Sequence, residues 1–311
     1  MQTYRVTLSP LSKLETLHDS QNLFGFLCYQ IKERYDEATL EQTLANVRTN
    51  QRVLRISSIM PEASVFWPAF TVKYSSNETF DTVIAKKLKK INYVSMRVLD
   101  ALLESDYIGD AIVKNIRSGN WEFNKDLLME KNEIFYEYSL GIDIRFSSQE
   151  QTPFNVKSYG VQQNSRFTFF VTTDIEEVIQ TLHSLEYISL GKYKNVALNT
   201  YEVIGCETTD LVPAATNILV SKYIPADDDE FDRDHSMVKI DLAKSRLDNR
   251  MLQTYDTAHL DAFSLITEGS MIVSKNHVVG ILKHRDQASE ILGKPVYYNG
   301  LAFLYPVGDA Q

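Results

Sequence analysis

The sequence has 311 residues and a formal net charge of −9, and a chain of this length buries a hydrophobic core without help from disulfides or metals. Hydrophobic residues make up 44% of it and aromatic residues 11%, which excludes an intrinsically disordered chain. The negative net charge disfavours a protein that coats nucleic acid through its overall charge. A local basic groove is still compatible with it, because solvent screens charges that lie more than about 10 Å away.

No motif indicates a metal centre, a disulfide framework or a membrane segment. The two cysteines, Cys28 and Cys206, and the six histidines lack metal-type spacing. The acidic run DDDEFDRD lacks the glycine and the spaced ligands of a calcium loop, so we interpret it as the start of a solvated helix. The first residues lack the apolar core of a signal peptide, and no stretch reaches membrane-spanning length. We therefore expect a cytoplasmic protein with no metal, no cofactor and no membrane contact.

The N-terminal residues predict one strand followed by two helices. In TYRVTL, three apolar residues alternate with polar ones, which is typical of a strand with one buried face. The segment DSQNLFGFLCYQIKERY begins with capping residues and predicts a helix. Its apolar face consists of Leu23, Phe24, Leu27, Cys28 and Ile31. Residues 35–50 predict a second, more polar helix.

Short strands and a basic patch come next. The segment RVLRISSIMPEASVFWPAFTVKY predicts short strands interrupted by Pro61 and Pro68. The segment KKLKKINYVSMRVLDALLES predicts a basic patch that leads into a helix. One side of this helix is expected to carry Val94, Val98, Ala101 and Leu102.

Residues 133–171 predict a hairpin with an outgrowth. Two extended runs, EIFYEYSLGIDIRF and SRFTFFV, flank the polar stretch SSQEQTPFNVKSYGVQQN. Extended runs on both sides of a turn-rich stretch are typical of paired strands. We therefore expect the two runs to pair with each other and the polar stretch to form a long loop between them.

The segment TTDIEEVIQTLHSLE is the clearest helix of the sequence. Thr173 or Asp174 is the candidate N-cap, and the glutamates that follow suit the positive end of the helix dipole. The segment NVALNTYEVIGCE then predicts a strand. With the interruption between the first helices and the hairpin set aside, the strand, helix, hairpin, helix and strand read βαββαβ, which is the ferredoxin-like pattern.

A second unit follows a linker-like stretch near residues 207–216. NILVSKYI predicts a strand, PADDDEFDRDHSMVKIDLAKSR predicts a polar helix, and three further strand-like runs complete the unit. The predicted fold class is therefore α+β with two ferredoxin-like (RRM-like) domains. The predicted domains are residues 1–207, an N-terminal ferredoxin-like domain with insertions, and residues 208–311, a C-terminal ferredoxin-like domain.

The sequence carries no complete catalytic motif. A nucleophile elbow, a phosphate-binding glycine loop with Lys-Ser/Thr and a dinucleotide-binding glycine pattern are all missing. His18 stands just before the first predicted helix, where a general base could lie. No acid or oxyanion partner accompanies it in the sequence, so we favour a loop histidine.

Three basic clusters are the candidate functional residues. The first is Lys86, Lys87, Lys89 and Lys90, and the second is Arg145, Lys157 and Arg166 together with Phe154 and Tyr159. The third is Lys192, Tyr193 and Lys194, directly after Gly191. Cations interleaved with aromatic rings suit single-stranded RNA, because phosphates pair with Lys and Arg while bases stack on rings. A solvated surface is the alternative explanation of each cluster taken alone.

The order of these motifs resembles a known family. DSQNLFGFL, with Ser20, Leu23 and Phe24, is similar to the first-helix signature of the crRNA 5′-handle-binding RAMP-superfamily subunits of type III-A CRISPR (Csm) effector complexes, the fourth proteins of the Csm series. The resemblance extends over most of the chain. It includes the paired prolines, the KKLK stretch, TPFNVKSY of the thumb loop, SLGKYKN of the RAMP glycine loop, and the strands FSLITEGSMI and GKPVYYNGLAFLYPV.

This resemblance implies a non-catalytic subunit of an antiviral, RNA-guided ribonucleoprotein. Such a subunit binds the 5′ handle of the crRNA, anchors the large polymerase-like subunit and contacts the backbone RAMP subunits, while target RNA is met only indirectly. The first domain would carry the glycine loop and a protruding thumb-like insertion. We predict no catalytic residues and no metal ligands. The predicted RNA-binding residues are Ser20, Asn22, Lys86, Lys87, Lys89, Arg145, Phe154, Lys157, Tyr159, Gly191, Lys192, Tyr193 and Lys194.

Two alternatives stay open at this point. The first is a metal-independent RAMP endoribonuclease that processes precursor crRNA, for which His18 is the candidate base. The second is a protein-only scaffold whose basic clusters meet acidic partners.

Overall fold

The computed structural model describes residues 1–69, 91–103, 109–110, 129–130, 135–146, 151–161, 164–191, 198–226, 230–243, 262–275 and 278–307. The described helices are α1 (Ser20–Arg34), α2 (Glu37–Arg48), α3 (Met96–Leu103), α4 (Glu176–His183) and α5 (Asp286–Leu292). The first two confirm the predicted helices at the N-terminus. Asp19 caps α1, because its side chain accepts a hydrogen bond from the Asn22 N–H at 3.0 Å.

The described strands belong to one central sheet and several smaller ones. The strands of the N-terminal half are β1 (Gln2–Pro10), β2 (Leu54–Ile56), β3 (Met60–Pro61), β4 (Ser64–Phe66), β5 (Ile91–Ser95), β6 (Met129–Glu130), β7 (Phe135–Phe146), β8 (Gln151–Val161), β9 (Phe167–Thr173), β10 (Tyr187–Ser189) and β11 (Thr200–Thr209). Those of the C-terminal half are β12 (Thr216–Leu219), β13 (Ile240–Ala243), β14 (Phe263–Ile266), β15 (Met271–Val273), β16 (Gly280–His284), β17 (Tyr297–Leu301) and β18 (Leu304–Pro306).

The central sheet is antiparallel, with the strand order β10-β11-β1-β9-β2 and β3 also paired with β9. The predicted strand at the N-terminus is its middle strand. The register joins Val6 of β1 to Phe169 on one side and to Cys206 on the other. Along the chain, β1, α1, β2, β9, α4 and β11 follow in βαββαβ order, but the strand before β9 in this order is β2 and not the expected run at residues 133–146.

Both faces of the central sheet are covered at β9, where every residue is buried. On one face, the Tyr4 ring of β1 meets His183 of α4 edge-on, with centroids 5.6 Å apart. On the other face, Phe170 stacks on Phe303 from the C-terminal half at 5.8 Å. The unbroken apolar run in this strand therefore reflects burial from two sides rather than one.

The pairing predicted for residues 133–171 is wrong. The run that forms β7 pairs with β8, from Phe135 opposite Val161 to Phe146 opposite Gln151, and does not pair with β9. The polar stretch expected as a loop therefore contributes a full strand. The segment TPFNVKSYGV has an alternation of side chains that suits a paired strand, but its many polar residues made this pattern hard to recognise in the sequence. Within the described residues β7 and β8 form a two-stranded sheet of their own.

Two helix starts also differ from the predictions. Val94 lies in β5, so α3 begins only at Met96. Neither Thr173 nor Asp174 caps α4, whose N-cap residue is Ile175 without a side-chain hydrogen bond. The carboxylate of Asp174 accepts a hydrogen bond from the Val53 N–H at 2.7 Å instead, so a tertiary contact replaces the local cap.

The C-terminal half consists mainly of short antiparallel strands. Its sheets have the orders β15-β12-β18, β13-β14 and β16-β17. The helix predicted from the charged stretch after Pro225 is wrong for the described residues 230–243, because Ile240–Ala243 form β13 and pair with β14. Cross-strand pairing overrides the helix preference of a charge-rich sequence here.

A buried polar group joins the two halves. The Ser58 hydroxyl donates to Glu268 Oε1 at 2.6 Å, and Lys222 Nζ lies 2.9 Å from Glu268 Oε2. The largest hydrophobic cluster likewise combines residues from both halves, including Val6 of β1 and Phe303. The proposed division at residue 207 stays a prediction, and the two halves share one core.

Candidate nucleic-acid interface

Six of the predicted RNA contacts lie outside the residues that the structure describes. They are Lys86, Lys87, Lys89, Lys192, Tyr193 and Lys194. Arg145 lies in β7, and Phe154, Lys157 and Tyr159 lie in β8, where the structure describes the backbone. Three of the predicted contacts therefore belong to one strand of the hairpin. In its register with β7, Phe154 lies opposite Asp143 and Lys157 lies opposite Leu140.

Gly191 makes a turn that only glycine fits. It follows β10 with a φ of +76°, in the left-handed region that residues with a Cβ rarely adopt. A Cβ at this position would lie 2.5 Å from His18 Cε1 and 3.0 Å from His18 Nε2. The single glycine of the predicted loop therefore rests directly on the His18 ring.

Asn199 fixes the other end of the same loop. Its N–H donates to the Lys13 carbonyl at 3.0 Å, and its side-chain Oδ1 accepts from the Glu15 N–H at 2.7 Å. Its carbonyl accepts from the Leu190 N–H at 3.1 Å. Asn199 is fully buried and has a φ of +57°, a conformation that asparagine tolerates better than most residues. Sequence reasoning missed this residue, although an asparagine before a strand is a recognisable turn signal.

His18 lies in the loop between β1 and α1, as expected, but it is only 5% exposed. Burial lowers its pKa to about 4 against the opposing effect of the nearby Asp19 charge, so the ring is neutral at pH 7. Within the described part of the chain, His18 Nε2 and the buried Asn199 Nδ2 have no hydrogen-bond partner. A Cβ added to Gly191 would lie 3.0 Å from His18 Nε2 and 3.5 Å from Asn199 Nδ2.

The two predicted contacts at the start of α1 differ from each other. Asn22 is exposed, and its Nδ2 donates to Asp19 Oδ1 at 2.7 Å. Ser20 is fully buried, its N–H donates to Ser58 Oγ, and its own hydroxyl oxygen accepts from the Lys222 N–H at 3.0 Å. A direct RNA contact of Ser20 does not fit this position. The hydroxyl instead holds α1 against the C-terminal half.

A further group of cations and aromatic rings was missed because it combines three separate strands. Arg285 Cζ lies 4.7 Å and Lys283 Nζ lies 5.3 Å from the centroid of the Phe263 ring. The Tyr298 ring meets Phe263 edge-on at 5.0 Å, and burial raises its pKa. Since Arg285 is buried and covers the Phe263 ring, this group joins β14 to β16 and β17 rather than offering a bare ring for stacking.

Three side chains in the C-terminal half, those of Asp286, His284 and Ser289, are arranged like a catalytic triad. His284 Nδ1 lies 2.6 Å from Asp286 Oδ1, and its Nε2 lies 3.1 Å from Ser289 Oγ. The Ser289 hydroxyl, however, donates to the Arg285 carbonyl at 2.7 Å and accepts from the Val296 N–H at 2.9 Å. Its only hydrogen is thus engaged in α5, so this group stabilises the end of a helix and does not supply an activated nucleophile.

The described residues contain no group of three or more His, Cys, Asp or Glu side chains placed to hold a metal ion. Over the same part of the chain, no helix has the length and apolar character needed to cross a membrane.

Comparison with solved structures identifies the fold. No protein-family model matches the sequence, and no curated protein matches it significantly. A chain of the crystal structure of the Csm3–Csm4 subcomplex in the type III-A CRISPR-Cas interference complex is 16% identical, with a TM-score of 0.62 over 99% of this chain and 100% of that one. A chain of the Csm1–Csm4 cassette in complex with pppApA is 16% identical, with a TM-score of 0.56 over 99% and 98%. A chain of the cassette with one ATP is 17% identical, with a TM-score of 0.54 over 99% and 98%. This chain therefore has the fold of those chains along nearly its whole length.

Proposed function

We propose that this chain is the Csm4-type subunit of a type III-A CRISPR effector complex, and that it binds the 5′ handle of the crRNA. The observation that carries the proposal is the likeness over almost the full length of both chains to members of two different assemblies. Csm4 is the component that these assemblies share. Because fold alone does not determine function, the proposal also relies on the sequence motifs, which resemble the same family.

The same likeness supports a finer description of the fold. The βαββαβ order of the central sheet is that of a ferredoxin-like RAMP domain. In this description the turn at Gly191 is the RAMP glycine loop, and the β7–β8 hairpin is the thumb. The C-terminal half would be the second ferredoxin-like domain.

The environment of His18 supports a non-catalytic role over the endoribonuclease alternative. A general base has to reach the proton that it abstracts, directly or through one water. The His18 ring is buried under Gly191, and within the described residues its Nε2 has no hydrogen-bond partner. Incubation with a repeat-containing RNA, with and without divalent metal, is expected to give no site-specific cleavage. Cleavage that disappears in His18→Ala would favour the processing enzyme.

Partners follow from the two assemblies. A chain that shares the fold of a subunit found with Csm3 in one assembly and with Csm1 in the other would join a backbone subunit to the large polymerase-like subunit. In that position it would meet target RNA only indirectly, through the guide, and it would act in the cytoplasm.

The decisive experiment measures handle binding and charge together. Binding of a single-stranded RNA with the handle sequence of the host repeat is followed by fluorescence anisotropy at several salt concentrations. Lys192→Glu/Lys194→Glu is expected to weaken binding and to flatten the salt dependence by about 0.7 in the log–log slope for each lost phosphate contact. The matched control is Lys275→Glu/Lys294→Glu, which changes the net charge equally at two exposed lysines elsewhere. Equal losses in both variants would show that only overall charge matters and would contradict a handle site at the loop.

A further inference from the structure

The strand β11 has one side that no described strand covers. Its first residues, 200–202, pair with β10 on this side. The next contact is a single hydrogen bond, in which the Val203 N–H donates to the Glu186 carbonyl at 2.8 Å. Beyond it, residues 205–209 pair with β1 on their other side, and within the described part of the chain they have no second strand partner. We call this unpaired stretch the open side of β11.

The hydrogen bonds of β9 show in which direction the neighbouring backbone groups point. The Phe170 N–H donates to Ser57 Oγ at 2.8 Å, and the Phe170 carbonyl accepts from the Ser57 N–H at 2.9 Å. Phe170 thus directs both backbone groups away from β1, although Arg5 of β1 lies opposite it. Arg5 therefore directs its own N–H and carbonyl to the other side, where Glu207 of β11 is its partner.

This direction determines which groups of β11 face the open side. Because N–H and carbonyl groups of successive residues point to opposite sides of a strand, Glu207 bonds to β1 while Cys206 and Thr208 point away from it. The open side thus presents two N–H groups and two carbonyls. Their residues are about 6.6–6.8 Å apart along the strand. This is the arrangement that an extended segment uses when it adds to a sheet as a further strand.

Carboxylates flank the open side. Glu202 and Glu207 are exposed on β11, Asp210 follows its end, and Glu186 precedes β10. Arg5 lies beside them, and its guanidinium is 2.9 Å from Glu207 Oε2. The described residues along this edge therefore present four carboxylates and one guanidinium. Charged side chains on an edge strand discourage unspecific pairing, and they favour a partner of opposite charge.

A second copy of the chain does not suit this edge. In a symmetric pairing that uses all four outward groups, Cys206 of one copy lies opposite Thr208 of the other. Glu207 then lies opposite Glu207 of the second copy. Like charges directly opposite each other destabilise a strand pair. A matching strand instead carries a lysine or an arginine at that position.

We propose that the open side of β11 binds an extended segment of a partner protein that carries lysine or arginine, and that this segment joins the central sheet as a further strand. Cys206 and Thr208 supply the backbone hydrogen bonds, and the carboxylates around them select the basic segment. The inference goes beyond the proposed function and does not depend on it. It concerns a protein partner, and the edge contains none of the predicted RNA-binding residues.

The test uses the full chain and a hexapeptide of alternating lysine and valine with blocked ends, whose lysines share one face when it is extended. The control peptide has glutamate in place of lysine. Hydrogen exchange of single amides is followed by NMR. At a concentration of the lysine peptide about ten times its Kd, exchange of the Cys206 and Thr208 amides is expected to slow by about tenfold. The Glu207 amide, which donates to β1, is expected to keep its rate.

Two variants separate the contributions of charge and backbone. Glu202→Gln/Asp210→Asn is expected to weaken binding of the lysine peptide by about two- to fivefold for each lost ion pair. Its matched control is Glu33→Gln/Glu41→Gln, which makes the same change of charge at exposed residues of α1 and α2 and is expected to bind like the parent. Thr208→Pro removes an N–H that does not contribute to the pairing with β1, and it is expected to abolish the protection of Cys206.

Three outcomes would overturn the proposal. The first is that neither peptide protects any amide of residues 205–209. The second is that the glutamate peptide binds as tightly as the lysine peptide, and the third is that both charge variants lose affinity equally. None of them affects the proposed function, because that function is tested by handle RNA and by the loop lysines.

Discussion

Gly191→Ala tests whether the loop rests on the His18 ring. The left-handed φ of +76° costs a residue with a Cβ about 1–2 kcal/mol. The added Cβ would also lie 2.5 Å from His18 Cε1, and such overpacking typically costs about 1–3 kcal/mol more. The expected loss in the free energy of unfolding is therefore about 2–5 kcal/mol, measured by urea denaturation followed by circular dichroism.

Two other glycines separate the contributions. Gly293 has a φ of +64°, and an added Cβ would meet no atom within 4 Å, so Gly293→Ala should show the conformational cost alone. Gly25 lies inside α1, where an added Cβ would likewise meet no atom within 4 Å, and Gly25→Ala should stabilise the protein by about 0.5–1 kcal/mol. In a His18→Ala background, Gly191→Ala should lose its steric part, giving a coupling energy of about 1–3 kcal/mol. Equal costs for Gly191→Ala and Gly293→Ala, unchanged by His18→Ala, would refute the close approach.

Two further predictions concern buried ionisable groups. Glu268→Ala leaves Lys222, whose side chain is only 17% exposed, without its ion-pair partner. This variant should lower the free energy of unfolding by about 3 kcal/mol, and adding Lys222→Met should recover much of the loss. A loss below about 1 kcal/mol would contradict the buried pair. The pKa of His18 is about 4 in the folded protein and about 6.5 in the unfolded chain. Between these pH values the unfolded chain binds more protons than the folded protein. The free energy of unfolding should therefore fall by about 2 kcal/mol from pH 7 to pH 5. Denaturation of His18→Gln over the same pH range should lack this component, and identical pH profiles of the two proteins would argue against a buried neutral ring.

Local pattern was sufficient where one element determines its own structure. Alternation at Tyr4, Val6 and Leu8 predicted β1, and the capped apolar stripe predicted α1, because each pattern reports a single buried face. The sequence did not predict the pairing of β7 with β8, because strand pairing depends on contacts between separate segments and because the polar residues of β8 made its alternating pattern hard to recognise. The helix prediction for the charged stretch that forms β13 failed for the same reason, because its pairing partner β14 comes later in the chain.

The turn at Gly191 was predictable from the sequence, but its contacts with distant residues were not. Gly191 was singled out from its sequence context, and its positive φ agrees with a turn there. Its contact with His18 and the anchoring by Asn199 join segments that are far apart in the chain, and a single sequence does not show which distant residues meet. Ser20 illustrates the opposite error, because a motif position that was expected at the RNA surface holds two halves of the protein together.

The placement of β1 in the middle of the central sheet has a consequence for synthesis on the ribosome. Val6 pairs with Phe169 and Cys206, so β1 waits for partners that are made about 160 and about 200 residues later. At typical elongation rates this delay is roughly 10–40 s. During that time α1 and α2 can form from local contacts, while β1 has exposed edges and an unburied apolar face. Until its partner strands are made, β1 therefore relies on contacts other than the native sheet to cover its edges and its apolar face.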